Sequence, residues 1–323
     1  MRKALIVGIN DYRGTLSPLK GCLNDATAMH TVLETNGDNS PNFSVVDLHN
    51  VLKKAELKKA IVQLFSGSGD VALFYYSGHG FVNDINGYLV TPDACTYDEG
   101  LPMSELMNIV RESRVRNKII ILDCCHSGTL GNMGGTTSSS EIVLGTTILT
   151  ASTAEGCSIE IDGHGVFTNL LVQALQGGAA DFIGNITPGG IYAFVDQSLG
   201  PWYPRPMFKT NVQEFVSLRK VTPQVPIDVI RLLTTYFEKP DDIFPLNPSF
   251  EDTNSPKEKH EVIQPYANPS NVAIFKSLQK LQSIGLVVPL DAPYMYFAAM
   301  QSKSCRLTPL GIHYWNLVKE KRI

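Results

Sequence analysis

The chain has 323 residues, 43% of them hydrophobic and 18% charged, and a formal net charge of −4. That balance excludes a disordered chain. No apolar run reaches the roughly 18 residues of a bilayer span, and the acidic total offers no electrostatic pull toward nucleic acid.

The opening Met1-Arg2-Lys3-Ala4-Leu5-Ile6-Val7-Gly8 is too briefly apolar for a secretory signal and reads as a first strand of a cytoplasmic protein. Runs that are apolar on both faces predict buried parallel strands over 3–9, 45–48, 70–76, 118–123 and 146–151. Between them, helical periodicity predicts helices over 24–35, capped by Asn24 or Asp25, and over 52–65, 103–112, 166–175 and 190–199. Strand–helix alternation predicts an α/β layered domain whose functional residues sit at the carboxyl ends of the strands. The Gly/Ser/Thr-rich stretch 131–140 reads as a flexible loop. Pro223 and Pro226 close this domain, which sets the boundaries at 1–220 and 221–323. Residues 241–269, rich in Pro, Asn and acidic residues, are either a long ordered insertion or a mobile segment. Beyond them the pattern predicts a helix over 271–284 stopped by Gly285, a strand over 286–288, a hairpin from 294–299 and 304–307, and a closing helix over 308–319.

Six cysteines, Cys22, Cys95, Cys124, Cys125, Cys157 and Cys305, form no CxxC pair and no zinc-spaced Cys/His ladder, so they read as reduced thiols with one candidate nucleophile. Two segments carry reactive side chains at the ends of apolar runs. They are Phe74-Tyr75-Tyr76-Ser77-Gly78-His79-Gly80 and Ile121-Leu122-Asp123-Cys124-Cys125-His126-Ser127-Gly128. A cysteine nucleophile needs a base for its thiol proton, and histidine is the usual one. Flanking glycines permit tight turns whose backbone N–H groups can hold an oxyanion. Residues two apart on a strand share a face, so Asp123 and Cys125 point one way, as do Ser77 and His79. Cys124 then reads as a small buried hydrophobe and His126 as structural. Gly163-His164-Gly165 reads as a loop leading into a helix, with a place near the site left open. The acids Asp84, Asp93, Asp98 and Glu99 do not match an EF-hand and read as solvated loop residues, so calcium has no support.

These motifs resemble the caspase-like cysteine peptidases, in the metacaspase and bacterial orthocaspase branch. The likeness rests on Ser-Gly-His-Gly at 77–80 and Asp-x-Cys-His-Ser-Gly at 123–128. It rests also on Ala4-Leu5-Ile6-Val7-Gly8-Ile9-Asn10-x-Tyr12, on Leu19 to Ala26, and on Gly165-Val166-Phe167-Thr168, and it spans about 1–215. The resemblance implies a caspase-like layered sheet with helices on both faces, Cys125 as nucleophile and His79 as its base. It implies an oxyanion hole from the amides of Gly80 and Cys125, and a first specificity pocket lined by Asp25 and Asp123 with Ser77 nearby. Such an acidic pocket selects Arg or Lys before the cut. The resemblance implies a polypeptide substrate, no cofactor in the chemistry, and a place in bacterial cell-death or defence signalling.

Residues from Leu281 to Val287 and from Arg306 to Gly311 resemble a winged helix. From 221 to 323 there are 11 Lys/Arg against 10 Asp/Glu, and the predicted recognition helix carries only Lys276 and Lys280. That balance lacks the basic face that phosphate contact needs, and favours a regulatory protein or ligand as partner. The rival readings are a catalytically silent interaction module, which intact His79 and Cys125 oppose, and a winged-helix transcription regulator, which the near-neutral charge opposes.

Overall fold

The computed structural model describes residues 1–12, 16–83, 86–124, 142–151, 160–253, 259–264 and 266–323. It divides into two compact units, Met1–Thr222 and Pro223–Ile323.

The first unit is built on a six-stranded sheet. Its strands are β1 (Arg2–Gly8), β2 (Ser44–His49), β3 (Val71–Ser77), β4 (Asn117–Asp123), β5 (Thr146–Thr150) and β6 (Met207–Asn211). Their spatial order is β6-β5-β4-β3-β1-β2. The first five are parallel, while β6 runs antiparallel to β5. The chain therefore reverses its direction of growth between β1 and β3, and open α/β sheets place ligand sites outside the carboxyl ends of the strands at that point. Five helices cover the sheet: α1 (Cys22–Glu34), α2 (Lys54–Phe65), α3 (Met103–Glu112), α4 (Val166–Gln173) and α5 (Pro188–Leu199). Two apolar cores result. Leu57, Ile61, Leu106 and Val110 of α2 and α3 pack with Phe74 and Ile120 on one face. Met29, Leu33, Leu171, Ile191 and Val195 of α1, α4 and α5 pack with Ile6, Tyr75 and Ile121 on the other. The expected layered sheet with helices on both faces is present.

Several expectations are corrected. β2 is an edge strand, largely exposed, with Val46 57% accessible, because it pairs with a strand, β1, on one side only. Neither Asn24 nor Asp25 caps α1. The helix starts earlier, at Cys22, with Gly21 before it, which places both residues inside the first turn. The antiparallel β6 was missed because its half-buried Met-Phe-Lys-Thr-Asn has no apolar run.

The second unit holds a three-stranded antiparallel sheet in the order Ile243–Pro245, Ser304–Leu307, Val287–Leu290. Its long helix Pro269–Ser283 is capped by Asn268, whose side chain accepts from Ser270 and Asn271, and it ends before Gly285 at φ +73°. The closing helix Pro309–Lys319 is capped by Thr308. The predicted hairpin arm over 294–299 is instead the helix Met295–Met300, since Met295, Ala298, Ala299 and Met300 bury one helical face. Residues 241–269 contain the strand Ile243–Pro245 and a short turn of 3₁₀ helix at Pro248–Phe250. Edge-on contacts link Phe237, Phe244, Phe250 and Phe275, and Trp315 Nε1 donates to Phe237 O at 2.7 Å. Among the described residues, no helix is long and apolar enough to cross a membrane.

Candidate active site

Three strand ends meet at the reversal point. The register sets Gly8 beside Ser77 and Ser77 beside Asp123. The ladder continues one step further: Ile9 N donates to Ser77 O at 3.0 Å and Gly78 N donates to Asp123 O at 3.3 Å. Gly8 has no room for a side chain, because a Cβ there would lie 2.4 Å from Cys22 O and 2.9 Å from Ala26 Cβ. This close approach lets α1 begin directly against the end of β1, and so brings Asp25 in its first turn to Ser77 and Asp123.

Asp25 and Asp123 are 1% and 4% exposed. Asp25 accepts from the Gly165 amide at 3.2 and 3.1 Å and from Ser77 Oγ at 3.4 Å, and His164 Nδ1 lies 3.0 Å from Asp25 Oδ1. Asp123 Oδ2 accepts from Thr168 Oγ1 at 2.7 Å, which leaves the Tyr75 hydroxyl to donate to Thr168 at 2.6 Å. Gly165 lies against both carboxylates: a Cβ there would sit 2.4 Å from Asp123 Oδ2 and 3.1 Å from Asp25 Oδ2. Burial, and after it the neighbouring Asp123, pushes Asp25 up to about 7, while the Gly165 amide and His164 pull it down.

His79 follows β3 and faces the same space. Its Nε2 is 2.8 Å from Ser17 O; a carbonyl only accepts, so Nε2 carries a proton and Nδ1 is left for other work. The Tyr12 hydroxyl accepts the His79 backbone N–H at 2.8 Å, and the two rings lie 4.5 Å apart. The Tyr76 hydroxyl reaches His79 O at 3.0 Å and Val90 O at 2.7 Å, so two buried tyrosines hold the histidine backbone. Gly80 opens the short strand Gly80–Val82, paired antiparallel with Gly87–Leu89. One small cleft is lined together by Asp25, Ser77, His79, Asp123 and Glu160. Cys125 lies outside the described residues, as does the predicted loop 131–140. Cys124 is fully buried in the core beneath α2 and α3.

The model of the caspase domain, a peptidase family, matches residues 1–200. The chain belongs to the caspase domain family. Metacaspase-6 of Arabidopsis thaliana is 32% identical over 146 residues, covering 40% of this chain and 39% of that protein. Metacaspase-1 of the same plant is 32% identical over 149 residues, covering 40% of each. The chain thus spans about two-fifths of the length of these relatives. In fold, a crystal structure of a Geobacter sulfurreducens protein matches with a TM-score of 0.51 at 18% identity, over 68% of this chain and 97% of that one.

Within this caspase domain, sequence reasoning missed what residues 160–168 do. Glu160 sits in the two-stranded hairpin Glu160–Ile161 with His164–Gly165, and Glu160 Oε1 accepts the Gly21 N–H at 3.0 Å. Gly165 and Thr168, quoted above only as a motif, are direct partners of Asp25 and Asp123. Only Gly163-His164-Gly165 pointed toward this wall. Among the acids considered for calcium, Asp93 and Asp98 are engaged elsewhere. Asp93 accepts from Lys54 N and Thr91 Oγ1, and Asp98 pairs with Lys54 Nζ. Asp84 lies outside the described residues. Among the described residues, no group of three His, Cys, Asp or Glu side chains is placed to hold a metal.

Proposed function

We propose that this caspase domain is a cysteine endopeptidase that cleaves polypeptides after Arg or Lys, with Cys125 as nucleophile and His79 as general base. The observation that carries the reading is the pair Asp25 and Asp123, buried beside Ser77 in the cleft that His79 lines. Two carboxylates buried in one cleft oppose each other's charge, and a guanidinium or ammonium entering the cleft offsets that cost. Glu160 adds a third carboxylate to the same lining. The complete burial of Cys124 in the opposite core argues against it as nucleophile and so favours Cys125.

The chemistry follows from the His79 tautomer. With Nε2–H donating to Ser17, Nδ1 takes the Cys125 thiol proton. The thiolate adds to the scissile carbonyl, whose oxyanion the amides of Gly80 and Cys125 receive. The proton passes to the leaving amine, and water then releases the acyl group. No metal or organic cofactor enters these steps. The second unit, with its near-neutral charge, serves as a regulatory module for a protein or ligand.

Two experiments test this. Cys125→Ala abolishes hydrolysis while the fold persists, and Cys124→Ala keeps substantial activity; the reverse pattern moves the nucleophile. A peptide-library profile shows Arg and Lys strongly preferred over Asp before the cut, and efficient cleavage after Asp sinks the specificity.

A further inference from the structure

We propose that His164 is a positioning residue of the acidic cleft: its imidazole keeps Asp25 ionised and oriented to receive the substrate's basic side chain. The inference rests on the reading of the cleft as a pocket for Arg or Lys. His164 Nδ1 lies 3.0 Å from Asp25 Oδ1, and whenever Asp25 is ionised the imidazole is the donor of this contact, because a carboxylate only accepts. The next residue's amide reaches both oxygens of the same carboxylate, so 164 and 165 grip Asp25 together. Two further bonds fix this grip to the start of α1: Glu160 Oε1 accepts from Gly21 N, and Asn24 Nδ2 donates to Gly163 O at 2.9 Å. The Asp25 side chain is 2% exposed and that of His164 is 41% exposed. The imidazole thus meets a buried carboxylate on one side and water on the other.

The titratable groups around Asp25 come from every wall. They are Asp123 at the end of β4, Cys22 on α1, Tyr75 on β3, Glu160 and His164 on the hairpin, and His79 after β3. Burial pushes the Cys22 thiol up to about 12 and the Tyr75 hydroxyl well above its ordinary range, so both stay neutral near pH 7. Asp123 opposes ionisation of Asp25. His164 is the only basic group touching Asp25 among the described residues. Without it, Asp25 keeps a proton at neutral pH, and a neutral acid pairs weakly with a cation.

Two measurements on the full chain decide this. Steady-state kinetics on an Arg peptide compare wild type, His164→Ala and His164→Gln from about pH 6 to about pH 9. The expected result for His164→Ala is a KM raised roughly fivefold to tenfold near pH 7, with the gap closing toward the alkaline end, where Asp25 ionises unaided. His164→Gln, which keeps an N–H donor but not the basic imidazole, falls between. The effect lies on KM and not on kcat. A KM ratio that is the same at every pH, or a loss confined to kcat, overturns the assignment. The second measurement follows the Asp25 carboxyl carbon by NMR in Cys125→Ala protein without substrate. Its titration midpoint rises by about one pH unit when His164 is replaced by Ala, and an unmoved midpoint overturns the proposal. Failure of the wild type on basic peptides would instead remove the Arg/Lys reading, and the midpoint would still decide what His164 does to Asp25.

Discussion

The two compact units treat buried polar groups in opposite ways. In the first, two carboxylates face each other at the end of the sheet, and Asp25 is held against its ordinary ionisation by burial and by Asp123. In the second, the buried Ser249 and Glu251 are satisfied by their own turns and, for Ser249, by the first turn of the helix Pro269–Ser283. Ser249 bonds Asn247 at 2.6 Å and receives Asn271 Nδ2 at 2.8 Å, and Glu251 Oε1 accepts the amides of Asp252 and Thr253. Local capping costs little and asks for no ligand. Facing carboxylates leave a deficit that a cation can fill, which is why strained electrostatics mark a site in one unit and not in the other.

The sharpest way to break the contrast is Asp25→Asn. Cleavage after Arg should fall by about a hundredfold or more, because the guanidinium loses its charged partner. Stability should move the other way. The folded-state pKa of Asp25, about 7, lies above the ordinary carboxylate value of 3.8. Between those two values the folded chain holds a proton that the unfolded chain has lost, so stability falls as pH rises through that window. Asp25→Asn removes this penalty. Above neutral pH it should be more stable than the parent by roughly 1–3 kcal/mol, and near pH 4 by about nothing. Urea denaturation at the two pH values checks this, and a destabilised variant at high pH would mean that Asp25 is not held in a strained state.

How much of this was readable in advance depended on where the determinants lie. Ser77, His79 and Asp123 were legible because an apolar run sets each strand, and its end sets the residue that emerges at the reversal point. Asp25 came through the resemblance and not through periodicity, since its approach depends on Gly8 and Cys22 meeting across β1 and α1. Glu160 was illegible as a site residue, and His164 stood out only as part of Gly163-His164-Gly165, whose place near the site stayed open. They reach α1 across 139 residues of sequence, from a hairpin of two-residue strands that has no hydrophobic pattern. The misread 294–299 segment shows the opposite failure: its aromatic and apolar residues suit a strand, and only the burial of Met295, Ala298 and Ala299 on one side reveals the helix.

A smaller effect should come from Tyr12, which supports the His79 backbone rather than the acidic cleft. Tyr12→Phe deletes the hydroxyl that accepts the His79 N–H and leaves the ring contact in place. A misaligned base costs turnover and leaves substrate binding alone, so kcat should drop about tenfold with KM nearly unchanged. A rise in KM instead would place Tyr12 in the substrate pocket.

Smaller still is the expected cost to the first unit of losing the second. Both sheet-flanking cores are made of residues no later than Val221. A chain ending at Thr222 should unfold cooperatively, with a stability within about 1 kcal/mol of the same unit in the full chain. Its response to regulators should change. Wholesale aggregation on truncation would show that the comparison of two separate units is misplaced.

The smallest expected effect is none: the chain should not process itself between residues 119 and 222. Residues 119–204 contain no Lys or Arg, so an enzyme selecting those residues has no bond to cut there, including in the Gly/Ser/Thr-rich stretch 131–140. The basic residues that follow are engaged. Arg205 grips Asp196 through Nε and Nη2 at 2.7 and 2.6 Å, Lys209 lies within β6, and Arg219 donates to Thr35 O and Leu175 O. A protease needs its substrate as an extended segment free to enter the cleft, and none of these can leave without opening the sheet or its ties. Activity should therefore be switched by a ligand, ion or partner, with any self-cut falling in the second unit, near exposed basic residues such as Lys259. Intact-mass measurement of active enzyme beside Cys125→Ala reads this directly. No activity-dependent cut within residues 119–222 is expected. An activity-dependent cut within 131–140 would refute the single-chain enzyme and, with it, the cationic specificity that the buried carboxylates imply.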